Sequence, residues 1–146
     1  EPFVFRWHAR RQPGYREYEG PRNRLVQAWD TGKRYHGLET IGASLPPVAG
    51  NPCLIYDAKG NQHYLAYRDG EGHIHEATLN EGAWQLTDLT ALAGAPPTMG
   101  DLSGLVSTST LTGCRYYVYR SLEGHLHQLF FDGSWSYCDL SAAITK

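Results

Sequence analysis

The sequence predicts an all-β fold made of three repeats, and two observations support this prediction. Residues 64–88, YLAYRDGEGHIHEATLNEGAWQLTD, return in residues 116–139 as YYVYRSLEGHLHQLFFDGSWSYCD. A weaker copy lies upstream, and Tyr18, Tyr67 and Tyr119 mark one position in three successive copies, so the period is close to fifty residues. We therefore expect a single domain over residues 1–146, with repeats at about 1–50, 51–101 and 102–146.

The composition narrows the class of protein. Hydrophobic residues make up 41% and charged residues 19%, which is typical of a globular domain. The net charge of −2 gives no support for nucleic-acid binding, although eight of the thirteen Lys and Arg residues precede residue 35. No apolar run approaches the length of a membrane span, and no signal-like segment opens the chain, so the localisation stays open.

The first repeat has weak but readable strand signals. An alternating segment opens the chain, Pro13-Gly14 marks a turn, and Asp30-Thr31-Gly32 marks another. The predicted strands are residues 3–8, 15–19, 24–29 and 34–40. The breaker-rich stretch IGASLPPVAG then forms an extended linker to the second repeat.

The second and third repeats have clearer signals, because short apolar runs alternate with Gly, Asp and Asn turns. The predicted strands are residues 52–57, 62–68, 73–79, 83–90, 104–111, 114–120, 126–131 and 135–141. The one hint of a helical turn lies near residues 89–93. Four short strands in about fifty residues match the size of one β-propeller blade, so we expect three four-stranded antiparallel blade-like repeats.

Three blades do not close a propeller, because closed propellers have about four to eight. Two chains related by a two-fold axis would complete a six-bladed ring, and this self-association is the favoured prediction. Alternatively, the missing blades lie on another part of a longer chain, or the repeats form a monomeric open sheet or sandwich. The chain begins at Glu1 rather than Met, which favours a processed product or a piece of a longer protein.

The Gly-His-Ile-His-Glu-Ala segment after Tyr-Arg-Asp-Gly-Glu, followed by Gly-x-Trp, resembles blades of the fungal and bacterial fucose-specific lectins. The resemblance is useful over the second and third repeats and loose over the first. It implies a six-bladed propeller, assembled in some members from short chains, with sugar sites between blades. It also implies that Glu76 accepts sugar hydroxyls, with Gln128 and Gln27 at the equivalent positions. Where the family has an Arg, this chain has Tyr64, Tyr116 and Tyr15.

The predicted ligand of this chain is a glycan or glycoconjugate. Glu76, Tyr64 and Trp84 are the candidates for one pocket, because a carboxylate orients sugar hydroxyls and an aromatic face covers the apolar side of the ring. The equivalent residues of the next repeat are Gln128, Tyr116 and Trp135. In the alternative interpretation, the two Trp side chains are blade cores and Glu76 is a hydrogen-bonded polar group between blades.

Two further patterns recur in both clear repeats. His73 and His75, like His125 and His127, lie two apart and share a strand face. No third ligand is evident from the spacing, so we expect these histidines to be architectural and predict no metal and no cofactor. Asp88 and Asp139 start Asp-Leu-(Thr/Ser) motifs, and we expect them to bond nearby backbone at turns.

Cys53, Cys114 and Cys138 are odd in number and scattered, which indicates free buried thiols rather than disulfides or a zinc site. No nucleophile with a base, and no phosphate-binding loop, stands out, so the chain is predicted not to be an enzyme. The sequence thus favours a carbohydrate-binding module with pockets between repeats. The alternative is a protein-interaction or assembly module, with a homodimer or another protein as partner.

Overall fold

The computed structural model describes residues 3–6, 25–28, 35–37, 46–80, 83–107 and 113–144, and this part of the chain is mostly β-strand. The all-β prediction is confirmed. No helix in these ranges is long and apolar enough to cross a membrane. The strands are Phe3–Arg6 (β1), Leu25–Ala28 (β2), Tyr35–Gly37 (β3), Val48–Asp57 (β4), Gln62–Asp69 (β5), Ile74–Asn80 (β6), Ala83–Asp88 (β7), Ser103–Val106 (β8), Arg115–Arg120 (β9), Leu126–Phe131 (β10) and Trp135–Asp139 (β11). Two short helices follow β7 and β11, at Leu89–Ala93 (α1) and Leu140–Ile144 (α2).

The second repeat is a four-stranded sheet in which β4, β5, β6 and β7 pair antiparallel in chain order. Its first turn is held by Asp57, whose Oδ1 accepts the backbone N–H of Lys59 at 2.9 Å, and Asn61 there has a positive φ of 49°. The connections between these strands are only two to four residues long, which explains the strictly sequential antiparallel pairing.

The third repeat has the same arrangement, with β8 to β11 again pairing antiparallel in chain order. The Asp-Leu-(Thr/Ser) motifs act alike in both sheets. Asp88 Oδ1 accepts the N–H of Ala91, and Asp139 Oδ1 accepts the N–H of Ala142, each at 2.9 Å. The expected hydrogen bonding of both aspartates to nearby backbone is therefore confirmed, although each lies at the start of a helix and not at a turn.

The first sheet differs from its prediction. It has three described strands in the order β1-β2-β3, and β1 pairs with β2 in parallel, whereas four antiparallel strands were expected. The predicted strand at 15–19 lies outside the described residues. A parallel pair is physically accessible here because the long connection between β1 and β2 leaves room for a crossover.

The last strand of each later repeat ends earlier than predicted. The strands expected at 83–90 and 135–141 end at Asp88 and Asp139. Each Asp side chain caps a short helix that begins at the next residue. Near Leu89–Ala93 a turn was expected and α1 is found, ending at Gly94 in the left-handed conformation. The helix α2 was not predicted.

The two four-stranded sheets pack face to face around a shared core. The core residues are Ile55, Tyr64, Ala66 and Ile74 from the second repeat, Leu89, Ala95 and Leu102 from the connection between the repeats, and Tyr117, Tyr119 and Leu129 from the third repeat. Residues 95–102 also fasten the turns of both sheets. Thr98 donates its N–H to the carbonyl of Gly72 at 2.9 Å and its hydroxyl to the carbonyl of Arg120 at 3.2 Å.

The three cysteines all lie in the described ranges and none forms a disulfide, so the prediction of free thiols is confirmed. The expected burial holds only for Cys114. Cys53 is half-buried and Cys138 is exposed, because Cys138 lies on the face of β11 that none of the described strands covers.

Candidate functional site

The junction between the two sheets contains a buried ion pair. Glu76 on β6 and Arg115 on β9 face each other, with Nε to Oε2 at 2.7 Å and Nη2 to Oε1 at 2.5 Å. The two residues are only 2% and 6% exposed. This two-pronged geometry matches the planar guanidinium to the carboxylate, and it compensates for removing both charges from water.

Neighbouring polar groups complete the hydrogen bonding of this pair. Tyr117 donates its hydroxyl to Glu76 Oε2 at 2.7 Å, and Arg115 Nη1 donates to the carbonyl of Gly113 at 2.8 Å. Burial, together with the Glu76 carboxylate, raises the pKa of Tyr117 well above its usual value, so the phenol remains a donor. Gly113 in turn donates its N–H to Asp57 Oδ2 at 2.9 Å, which extends the network back to the second repeat.

Three aromatic rings enclose the guanidinium. The Cζ atom of Arg115 lies 3.9 Å from the ring centre of Tyr64, 4.4 Å from that of Phe131 and 4.9 Å from that of Trp135. Such contacts attract a cation to the electron-rich ring faces, most strongly where water is excluded. The Trp135 ring also stacks on Tyr117 at 5.9 Å. Aromatic side chains from both repeats therefore surround the ion pair.

This geometry determines the hydrogen-bond partners of the Glu76 carboxylate. Tyr64, Glu76 and Trp135 do come together, but both carboxylate oxygens of Glu76 accept hydrogen bonds from Arg115 or Tyr117. Tyr64 is only 8% exposed. The chain's own side chains thus occupy the positions that sugar hydroxyls would need. Glu76 matches the alternative interpretation of a hydrogen-bonded polar group between sheets.

The other predicted site residues are distributed differently. Tyr116 and Gln128 share one face of the β8–β11 sheet. Trp135 lies on the other face, where it pairs with Phe131 on the neighbouring strand. The backbone of Trp84 belongs to β7 and pairs with Leu79, but its side chain lies outside the described part of the chain. The structure therefore does not bring Trp135 together with Tyr116 and Gln128 in one pocket.

Arg115 is the central residue that sequence reasoning missed. Its equivalent in the second repeat is His63, so the repeat comparison gave no signal for an arginine at this place. Its partner Glu76 lies 39 residues earlier in the chain. Only the packing of one sheet on the next brings the two charges together.

One face of the β8–β11 sheet is left open by the part of the chain that the structure describes. In β5, residues 64–67 are all buried, which shows that both faces of this strand are covered. In β9, buried positions alternate with half-buried or exposed ones, so only one face is covered. We call the uncovered side the open face, and it contains Leu105, Tyr116, Val118, Leu126, Gln128 and Phe130.

The histidine pairs lie at the turn end of each sheet, beside the helix caps. His73 Nδ1 lies 2.7 Å from Asp88 Oδ2, and His75 Nε2 lies 2.7 Å from Asp69 Oδ2. In the next repeat, His125 Nδ1 lies 2.8 Å from Asp139 Oδ2. Burial opposes ionisation of Asp69, but the hydrogen bonds from His75 and from the N–H groups of His73 and Glu71 outweigh it and hold the pKa of Asp69 low.

Comparisons with family models and with curated protein sequences find no match to this chain.

Proposed function

We propose that this chain is a non-catalytic recognition module of β-propeller type, and that it binds carbohydrate at the open face of its third repeat. The observation that carries the proposal is the contrast between two equivalent faces. On the second repeat this face is closed by Arg115 around Glu76, whereas on the third repeat it is uncovered around Gln128.

The open face has the chemistry that a sugar needs. Tyr116 and Phe130 stack on each other with ring centres 6.4 Å apart, and both are half-buried. Such an aromatic surface covers the apolar side of a pyranose ring. Gln128 lies on the same face, and its amide supplies both donors and an acceptor to hydroxyl groups. An uncharged amide here avoids the ion pair that fills the preceding junction.

The propeller part of the proposal is supported by the repetition of the sheets. Both later repeats are antiparallel sheets that pair in chain order, and one packs on the other through a large apolar face. The same packing repeated in one direction is how propeller blades follow one another around a ring. Further blades, from a second copy or from elsewhere in a longer chain, would then stand next to the open face and form the second wall of the pocket.

Glycan-array screening followed by calorimetric titration of the best binder tests the proposal. We expect Gln128→Ala and Tyr116→Ala to weaken binding at least tenfold while the fold is retained. Tyr56→Ala is a matched control, because Tyr56 is also a partly exposed tyrosine, but on β4 of the other sheet. Absence of glycan binding by the wild type, or equal binding by all three variants, would contradict the proposal.

A second candidate function, assembly, is favoured by two exposed leucines. Leu105 and Leu126 are 55% and 47% exposed, and both lie on the open face. Apolar side chains exposed together on a sheet face are typical of a surface that another sheet covers. In this candidate, the open face packs against a second copy of the chain and no sugar is bound there.

Light scattering over a range of concentrations tests the assembly candidate. It predicts a dimer or larger ring for the wild type, and a monomer for Leu105→Asp and Leu126→Asp. Leu92→Asp is the control, because Leu92 is 62% exposed but lies on α1. A wild type that stays monomeric at all concentrations would rule this candidate out and leave the sugar proposal to be judged on binding alone.

A further inference from the structure

Three potential metal ligands meet at one end of the β8–β11 sheet. His125 directly precedes β10, His127 lies within it, and Asp139 at the end of β11 pairs with His127 in the strand register. One ligand atom from each of the three side chains lies within 4.8 Å of the other two. The spacing of the histidines shows no third ligand, and strand pairing supplies one in Asp139.

The buried histidine of this group has an unused nitrogen. His127 is 5% exposed, and its Nδ1 atom is buried with no hydrogen-bond partner among the residues that the structure describes. Such an orphaned polar atom costs free energy in a folded protein, and native structures contain few of them. His127 is held in position between Tyr119, whose ring centre lies 5.6 Å away, and Tyr137 at 6.1 Å. A metal ion bound at Nδ1 would supply the missing partner.

The second repeat shows what the third one lacks. There, the carboxylate of Asp69 contacts His75 Nε2 at 2.7 Å. In the third repeat, Ser121 takes the place of Asp69 in the turn. The N–H of Asp69 donates to the carbonyl of His73, and the N–H of Ser121 donates to the carbonyl of His125, each at 2.9 Å. The Ser121 hydroxyl is also buried, with no partner in the described part of the chain. Ser121 therefore stands where the second repeat has the carboxylate that contacts the Nε2 atom of the equivalent histidine.

From these observations we propose that His125, His127 and Asp139 bind a divalent transition-metal ion, with Zn²⁺ as the best match. Imidazole and carboxylate are established zinc ligands, and three protein ligands leave a fourth position for water. Asp139 is oriented for this role, because its Oδ1 atom binds the N–H of Ala142 while Oδ2 lies beside His125. His125 is 47% exposed in its side chain, which gives an ion access from solvent.

Calorimetric titration of the tag-free full chain with ZnCl₂ tests this proposal. We expect one ion per chain and a higher melting temperature in its presence. His125→Ala and Asp139→Asn are expected to weaken zinc binding at least tenfold, and Asn retains the helix cap that Asp139 provides. His73→Ala is the matched control, because it removes the equivalent histidine of the second repeat, and it should bind zinc as the wild type does.

Substitution of Co²⁺ for zinc gives a second readout that does not depend on stability. Visible absorption bands of a low-symmetry cobalt site should appear in the wild type and in His73→Ala, and should be lost in His125→Ala. The proposal would be overturned by a wild type that binds no zinc at 100-fold molar excess. It would equally be overturned if His73→Ala and His125→Ala lowered binding by the same factor.

Discussion

Glu76 and Arg115 lie on different sheets and 39 residues apart in the chain, yet they form a buried two-pronged ion pair with distances of 2.7 and 2.5 Å. The pair joins the face of the second repeat that contains Tyr64 and Ala66 to the face of the third repeat that contains Tyr117 and Trp135. Two charges have been moved out of water at this junction, so the free energy of the fold depends strongly on both partners being present.

We predict that Arg115→Met destabilises the protein by about 3–5 kcal/mol, because it leaves the Glu76 carboxylate buried without its counter-charge. Urea denaturation measures the change in the free energy of unfolding. Arg68→Met is the matched control, since Arg68 lies 3.7 Å from Asp101 in a pair that is 24% and 43% exposed. This control should cost less than about 1 kcal/mol. Equal costs for the two variants would show that the junction does not depend on the ion pair.

Gly72 and Gly124 provide an internal comparison between repeats. Both have a positive φ, of 86° and 84°, so replacing either by Ala costs about 1–2 kcal/mol of backbone strain. A Cβ atom on Gly72 would also lie 2.6 Å from the carbonyl oxygen of Thr98, whereas one on Gly124 would have its nearest described neighbour, the guanidinium of Arg120, at 3.6 Å. We expect Gly72→Ala to cost a further 1–3 kcal/mol or so, as overpacking does. Thermal and urea unfolding of both variants would reveal whether the two costs differ.

The hydroxyl groups after each helix cap allow a second comparison. Thr90 Oγ1 accepts the N–H of Ile74, a fully buried residue, and Ser141 Oγ accepts the N–H of Leu126, which is 47% exposed, each at 2.9 Å. Thr90→Val keeps the shape but leaves a buried donor unpaired, so we predict a loss of about 1–3 kcal/mol. In Ser141→Ala, water can reach the freed N–H, and the loss should be smaller. A larger loss in Ser141→Ala than in Thr90→Val would contradict this explanation.

The His73–Asp88 pair predicts a pH dependence of stability. The hydrogen bond to Asp88 raises the pKa of His73, while the N–H of Ala91 and the ring of His73 lower the pKa of Asp88 against the opposing effect of burial. A raised histidine pKa stabilises the fold below about pH 6.5, and this contribution disappears as the pH rises through the folded-state pKa. A lowered aspartate pKa stabilises above about pH 4, and its contribution disappears as the pH falls.

The contribution of this pair should therefore be greatest between about pH 4 and 6.5. We predict that the stability difference between the wild type and His73→Gln is largest near pH 5.5 and shrinks towards pH 8. Both side chains are about one-third exposed, so the difference should be only about 0.2–1 kcal/mol. Burial lowers the pKa of His63, so His63→Gln should give the opposite slope. A flat difference for His73→Gln across this range would refute the assigned role.

Local features of the fold could be predicted from the sequence, because they depend on nearby residues. The strand positions of the second and third repeats follow from alternating apolar residues and tight turns, and Asp88 and Asp139 bond backbone N–H groups as expected. The helices were underestimated for the same local reason. An Asp before Leu and a hydroxyl residue is also a helix cap, and five-residue helices are too short to show a helical period.

Features that join distant parts of the chain could not be predicted. The sequence identified Glu76 as a special polar residue but not Arg115 as its partner, because only sheet packing brings β6 and β9 together. The sequence predicts a turn role for Asp139, but not its position directly opposite His127, which depends on strand pairing. The parallel pairing of β1 with β2 likewise depends on strand order, which the spacing of apolar residues does not encode.

The hydrogen bonds of Thr98 to Gly72 and Arg120 have a consequence for how the protein opens. Thr98 lies in the segment that follows α1. Its backbone N–H bonds to the second repeat, and its side-chain hydroxyl bonds to the third repeat. The two sheets therefore cannot separate without breaking hydrogen bonds of Thr98. The amide protons of Thr98 and Met99 should therefore exchange with deuterium as slowly as those in the middle of β5 and β9. The two repeats would behave as one cooperative unfolding unit, rather than as links that melt one after the other.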